Sequence, residues 1–389
     1  MAKIRYVEIV NLAGRDDTVT FELNPDLNVF WGLNGSGKTS LLKILHSALL
    51  CDASILLRVP FKSAKVRFED HKGRTYTRSI KSAKKSPDQH EIDLLNQLDS
   101  DEATAAERFM LLELSRHWEW KDGPGEKSRI KAFEHRYLPI SRMTDLARSP
   151  RGVTGREVRG LLNEAQIDEE FARQTLLLWR DYSHRALMEI RRVQSEGIAE
   201  ILAIVLAGEQ SKAEKITSIS SADAYELVKS FLRSQRIPSS LGTLSAFSAN
   251  YESNPAVREI VARIEEIENS IKDAQEPQHR LTNLLSSLFS RNKRLVLDPR
   301  SVAVHVGREE LPIESLSSGE KQMVRILLEC LATENNCILI DEPELSLHVD
   351  WQHRLVECMR LVNDDAQIIL ATHSPEVMAE IPNTKVFEL

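Results

Sequence analysis

Gly32-Leu33-Asn34-Gly35-Ser36-Gly37-Lys38-Thr39 has the spacing G-x-x-x-x-G-K-T. Glycines at such positions let a backbone wrap closely around an anion, so that its N–H groups point at a β-phosphate. Lys38 would neutralise charge on the β- and γ-phosphates, and the Thr39 hydroxyl would ligate magnesium. Gly32, Asn34, Gly35, Ser36, Gly37, Lys38, Thr39 and Ser40 are therefore the candidate nucleotide-binding residues. The apolar run Leu27 to Trp31 leads into the loop and an amphipathic stretch follows it, as strand and helix must around a phosphate cradle. An ordinary glycine-rich turn is the bland alternative, and this context argues against it.

The stretch Cys337-Ile338-Leu339-Ile340-Asp341-Glu342 supplies the acids such a loop needs. A buried parallel strand reads as a continuous apolar run, and ligands lie beyond its carboxyl end. There Asp341 would hold magnesium, directly or through water, and Glu342 would polarise an attacking water as general base. A strand that merely ends in two surface acids is the competing reading; the phosphate loop makes it the weaker one. Leu316-Ser317-Ser318-Gly319-Glu320 places hydroxyls and backbone N–H groups at the start of a further helix. Ser317, Ser318, Gly319 and Glu320 thus make a second anion cradle, which a single nucleotide in one subunit does not need. Read alone, these residues are just a helix cap. Ala371-Thr372-His373-Ser374 ends the last long apolar strand with a histidine suited to sensing a γ-phosphate.

Elements that could position these groups are legible in the periodicity. Lys3 to Val10 and Thr18 to Leu23 alternate as strands, and AKVRFED and RTYTRSIK form a hairpin turning at His71-Lys72-Gly73. Leu161 to Leu206 contains no proline and is helical. Ile260, Ile264, Ile267 and Ile271 form a short heptad-like stripe that Pro277 is expected to interrupt, leaving about 20 helical residues or roughly 30 Å. Strands return at RLVLD and SVAVHV, and helix, strand, helix, strand complete the chain. The expected fold is α/β, a mixed sheet with an N-terminal antiparallel β-subdomain, interrupted by a mostly helical insertion. The expected division is a phosphate-binding head of residues 1–143 and 293–389, with the insertion at 144–292.

Both ends of the chain resemble the ABC ATPase superfamily. That resemblance implies ATP and magnesium as ligands, and makes Glu342 and His373 the catalytic pair. Thr39 and Asp341 become the magnesium ligands, and Ser317 to Glu320 a signature that meets ATP held by a second subunit, in a head-to-head dimer around two nucleotides. Glu344 to His348 occupies the D-loop position, with His348 where many relatives have aspartate. No glutamine marks the Q-loop; Tyr137 to Arg142 falls in that region. The 279-position separation of Lys38 and Ser317, the phrases DEPELSLHVDWQ and ATHSP, and the lack of a membrane span look like the SMC/RecF/OLD branch. Within it, the chain resembles stand-alone ATPases of bacterial anti-phage systems, since 16 residues after His373 leave no room for a Toprim nuclease. The resemblance implies a sensor or regulator of a separate effector, a nuclease or toxin. The alternative is a RecF- or SMC-like ATPase of DNA repair or DNA-end processing.

Bulk properties agree with a cytoplasmic protein. Hydrophobic content of 42% and charged content of 28% are those of a soluble domain, with neither signal peptide nor membrane span expected. Cys51, Cys330, Cys337 and Cys358 lack metal-like spacing and read as reduced thiols. A net charge of −7 argues against blanket nucleic-acid binding. Residues 58–90 nevertheless carry ten Lys or Arg against three Asp or Glu, so DNA is a candidate ligand there and at the Arg142–Arg159 loop. A solvated hairpin face explains the first stretch equally well.

Overall fold

The computed structural model describes residues 2–56, 59–70, 72–81, 118–121, 132–139, 164–207, 219–235, 241–289, 293–298 and 301–389. The Arg142–Arg159 loop, Ile140 to Arg142, Arg58, His71 and residues 82–90 lie outside them. Two compact units are present. One comprises Met1–Leu176, Leu284–Val296 and Val302–Leu389; the other comprises Leu177–Asn283 and Leu297–Ser301.

The first unit is built on two five-stranded sheets. β1 (Ala2–Val10), β2 (Thr18–Glu22), β4 (Ser63–Asp70), β5 (Thr75–Lys81) and β6 (Trp118–Lys121) form an antiparallel sheet in the order β2-β1-β4-β5-β6. β3 (Leu27–Trp31), β7 (His135–Leu138), β11 (Cys337–Asp341), β12 (Gln367–Thr372) and β13 (Val386–Glu388) form a parallel one in the order β13-β3-β12-β11-β7. Every residue of β11 and β12 is buried, which is why both read as unbroken apolar runs. α1 (Lys38–Leu50) joins the two sheets: Leu41, Leu42, Leu45 and Leu49 share one core with Ile4, Val7, Val66 and Phe68 on one side and Leu339 and Ile369 on the other. Buried Gln367 stitches the sheets together as well, accepting from the Ile4 N–H at 2.7 Å and donating to the carbonyls of Ile4 and Asn24. α6 (Ser318–Thr333) packs on β11 and β7, and α7 (Val349–Val362) packs on α6. A three-stranded sheet, β10-β9-β8, consists of β8 (Lys293–Asp298), β9 (Ser301–Val306) and β10 (Glu309–Pro312).

The second unit is helical. α2 (Glu164–Ala207), α3 (Ser221–Ser234), α4 (Leu244–Ser253) and α5 (Pro255–Leu288) contribute Val193, Val228, Phe231, Tyr251, Ile264 and Ile267 to its core. Gly197 is required by the α2–α5 approach, because a Cβ there would fall 2.3 Å from the Ile267 side chain. The isoleucine stripe is therefore a core stripe. α5 does not stop at Pro277: it runs 34 residues, about 51 Å at 1.5 Å per residue, and α2 runs 44, about 66 Å. A single proline removes one N–H bond, and a helix packed over many turns can bear that loss.

Candidate nucleotide site

Strand register alone brings the motifs together. Thr372 of β12 lies opposite Trp31 of β3, and Asp341 of β11 lies opposite Ala371. The residues that follow, Gly32, Glu342 and His373, consequently emerge at one edge, the carboxyl ends of parallel strands, where open α/β sheets hold ligands.

The glycine loop has the backbone its pattern demands. Gly35 and Gly37 adopt φ of 83° and 102°, which side-chain-bearing residues rarely do. A Cβ on Gly32 would meet the Leu389 carbonyl oxygen at 2.7 Å. α1 starts at Lys38, so its first N–H groups lack helical acceptors and face the loop with the positive end of the dipole. Lys38 is buried and donates to the carbonyls of Gly32 (2.7 Å) and Leu33 (3.1 Å), folding its ammonium over the loop. The Ser36 hydroxyl is buried without a hydrogen-bond partner. Asn34 is exposed, while Thr39 and Ser40 are half-buried in the first helical turn.

Asp341 ends β11 buried, and both its carboxylate oxygens lack a hydrogen-bond partner. Burial pushes its pKa up to about 6; the Thr39 hydroxyl beside it and the charges of Lys43 and Lys38 act in the opposite sense. A buried carboxylate with unused oxygens next to a hydroxyl suits a hard cation that takes oxygen ligands. Thr39 and Asp341 are the residues that would hold magnesium.

Glu342 follows with φ of 48°, its N–H bonded to the Ala371 carbonyl at 2.8 Å. A left-handed glutamate at a strand end is strain of the kind found at functional positions. His373 Nδ1 stands 3.6 Å from Glu342 Oε1 and 3.4 Å from Glu344 Oε1. Glu344, with no role foreseen beyond the D-loop position, is buried and accepts from the Thr372 hydroxyl (2.6 Å) and the His373 N–H (3.0 Å). These partners are 28 and 29 positions away in the chain, so no local pattern reveals them.

Ser317 to Glu320 sit elsewhere in the unit and make no hydrogen bond to the glycine loop among the described residues. Ser317 caps α6 in a capping box: its side chain accepts from the Glu320 N–H, and Glu320 Oε2 accepts from the Ser317 N–H at 2.8 Å. Lys293 binds both Glu320 oxygens at 2.9 Å, and the carboxyl stays below its usual pKa despite burial because Lys293 and the Ser317 N–H favour its charged form. Gly319 packs on the loop after β11, since a Cβ there would lie 2.7 Å from the Ser346 carbonyl oxygen. His348 caps α7, its Nδ1 accepting from the Asp350 N–H at 3.4 Å.

Beside β11, β7 occupies the strand position before the expected Q-loop region, with Tyr137 opposite Leu339. Tyr137 stacks on His46 of α1 at 4.4 Å between ring centroids, and His46 Nδ1 lies 2.7 Å from His135 Nε2. Within the basic stretch, Arg78 is fully buried: it donates to the Ala48 and Leu49 carbonyls at the end of α1 and lies over the Phe68 and Phe133 rings. It acts there as a cation at a helix C-terminus and is lost to any surface patch. Lys65 and Arg67 lie opposite Glu8 and Tyr6 in the sheet, so this part of the face mixes charge signs.

The matches to known proteins agree with this geometry. Residues 199–379 match the family described as AAA domain, putative AbiEii toxin, Type IV TA system. The Retron Vc95 probable ATPase of Vibrio cholerae serotype O1 biovar El Tor is 26% identical over 165 residues, 39% of this chain. The Retron Ec83 probable ATPase of Escherichia coli is 27% identical over 111 residues, 25% of this chain. In these stretches the chain is similar to probable ATPases of retrons. Its matched stretches span only 30% and 20% of the two retron proteins. Solved structures similar to this chain include an Smc head domain with an extended coiled coil bound to the C-terminal domain of ScpA from Pyrococcus furiosus. That chain is 13% identical at a TM-score of 0.41, with 97% of this chain and 92% of that one covered. The SMC head domain from Thermotoga maritima is 9% identical at 0.38, with 97% and 91% covered. No helix among the described residues is long and apolar enough to cross a membrane.

Proposed function

We propose that this ATPase binds and hydrolyses magnesium-ATP at the shared carboxyl edge of β3, β11 and β12. The glycine loop and Lys38 hold the phosphates, and Glu342 draws the proton from the attacking water. His373 meets the γ-phosphate. When bound, magnesium supplies charge neutralisation on the phosphate oxygens. The observation that carries this reading is the pair of unpartnered, buried Asp341 oxygens beside Thr39, one residue from Glu342 and at the edge where His373 also emerges.

Two copies close head to head, and the Ser317–Glu320 turn of each meets the nucleotide of the other. Support for a second subunit comes from the separate position of that turn, which caps the start of α6 and makes no hydrogen bond to the glycine loop among the described residues. The retron ATPases and the toxin family among its relatives support a regulatory role in anti-phage defence, with a separate nuclease or toxin as effector. The 144–292 insertion is the docking surface for that effector.

Glu342→Gln tests the chemistry. ATP binding, followed with a labelled analogue, should stay near wild type, while turnover falls by about 10²–10⁴-fold, the usual cost of losing a positioned base. Lys38→Ala should lose the binding itself. Turnover of Glu342→Gln within a few-fold of wild type would remove Glu342 from the mechanism.

A further inference from the structure

The loop after β11 contains a second buried acid whose contacts exceed what stability asks of it. One oxygen of Glu344 is shared between the Thr372 hydroxyl at 2.6 Å and the His373 N–H at 3.0 Å, with the His373 ring nitrogen Nδ1 3.4 Å away. The other oxygen, Oε2, is buried with no hydrogen-bond partner. A half-satisfied carboxylate is an expensive way to tie down a turn, because an apolar side chain of similar size would fill the space without the desolvation cost. A second stitch joins the same two loops. Gln352 donates to the Leu347 carbonyl at 2.9 Å, and its side-chain oxygen lies 2.8 Å from the Ser374 hydroxyl.

We propose that Glu344 is a positioning residue: it fixes the Thr372–His373 turn and the Nδ1 edge of the imidazole, so that Nε2, which has no hydrogen bond among the described residues, is presented to the γ-phosphate. The proposal rests on the role assigned above to His373. It also explains why the loop from Glu342 to Ser346 holds two residues at φ of 48° and 66°: the backbone turns sharply enough to bring Glu344 back beneath the end of β12. Glu344 touches no reacting atom; it acts through His373.

Turnover and ATP binding measured on four variants of the full chain decide the matter. Glu344→Leu keeps the volume and removes the acceptor. It should lower kcat by about 10–100-fold, the size typical of outer partners that orient a functional histidine, with KM nearly unchanged and no loss of thermal stability. Glu344→Gln keeps an oxygen facing Thr372 and His373 and should restore most of the rate. His373→Ala should also slow turnover, and adding Glu344→Leu to it should cost nothing more, since residues acting as a unit are not additive. If His373→Ala leaves turnover unchanged, the reading of His373 fails and takes this proposal with it. If His373→Ala slows turnover but Glu344→Leu is harmless, or is equally harmful in both backgrounds, Glu344 alone is misassigned.

Discussion

The two units of this protein hold their awkward residues in opposite places. Every buried polar or charged residue described, among them Lys38, Arg78, Lys321, Asp341, Glu344, Gln367 and Thr372, belongs to the unit that carries the two five-stranded sheets. The helical unit buries apolar side chains and instead exposes Leu187, Met188, Leu202, Val205 and Leu206 along α2. Desolvating a polar group costs free energy that a purely structural core avoids. The sheet unit accepts that cost at Lys38, Asp341, Glu344 and Thr372, around the candidate site, and at Gln367 and Arg78, which tie distant segments together, whereas the described core of the helical unit follows ordinary packing.

The largest expected contrast comes from one substitution in each unit. Phe231→Ala, in the helical core, should destabilise that unit by about 3–5 kcal/mol, since a large buried ring leaves a cavity. ATP binding should be retained, because no residue of the nucleotide site lies there. Asp341→Asn should do the reverse. Turnover collapses with the magnesium ligand, while the metal-free protein gains up to about 1–3 kcal/mol from losing an unpaired buried charge. Denaturant titration with ATP binding on both variants checks the pair. Loss of ATP binding in Phe231→Ala, or a marked loss of stability in Asp341→Asn, would break the contrast.

A smaller effect concerns the histidine pair beneath the site. Burial lowers the pKa of His46 to about 4, with the neighbouring His135 adding to the shift. The folded pKa lies below the ordinary value of 6.5, so between the two the unfolded chain binds more protons. Stability should therefore fall as pH drops from about 6.5 toward about 4. His46→Gln, which can still donate to His135 Nε2, should flatten that part of the profile. An unchanged slope would mean that other groups cause it.

What the sequence made legible was contiguous. The glycine loop, Asp341-Glu342 and Thr372-His373 each lie at a strand end, so a local pattern reports both residue and position. The α/β fold and the helical insertion followed from the same periodicities. Contacts between distant segments were not legible: Glu344 with His373, His46 with His135 and Arg78 with the end of α1 depend on register and packing. Pro277 misled because a proline breaks a helix by local rules, whereas α5 is held by tertiary packing along its length. Composition likewise does not reveal that Arg78, within the basic run from Arg58, turns inward.

The central claim, a nucleotide site completed by a second copy, is most directly tested by mixing two inactive variants. Ser317→Arg should bind ATP but fail to hydrolyse it, because the added cation obstructs the partner's γ-phosphate; Lys38→Ala should fail to bind. In a mixed dimer, the intact loop of the first meets the intact Ser317 turn of the second, giving one working site. Subunits inactive alone should regain turnover when mixed, at no more than one site per dimer. A mixture that stays inactive although mixed dimers form, or a Ser317→Arg chain that cannot bind ATP while folded, would contradict it.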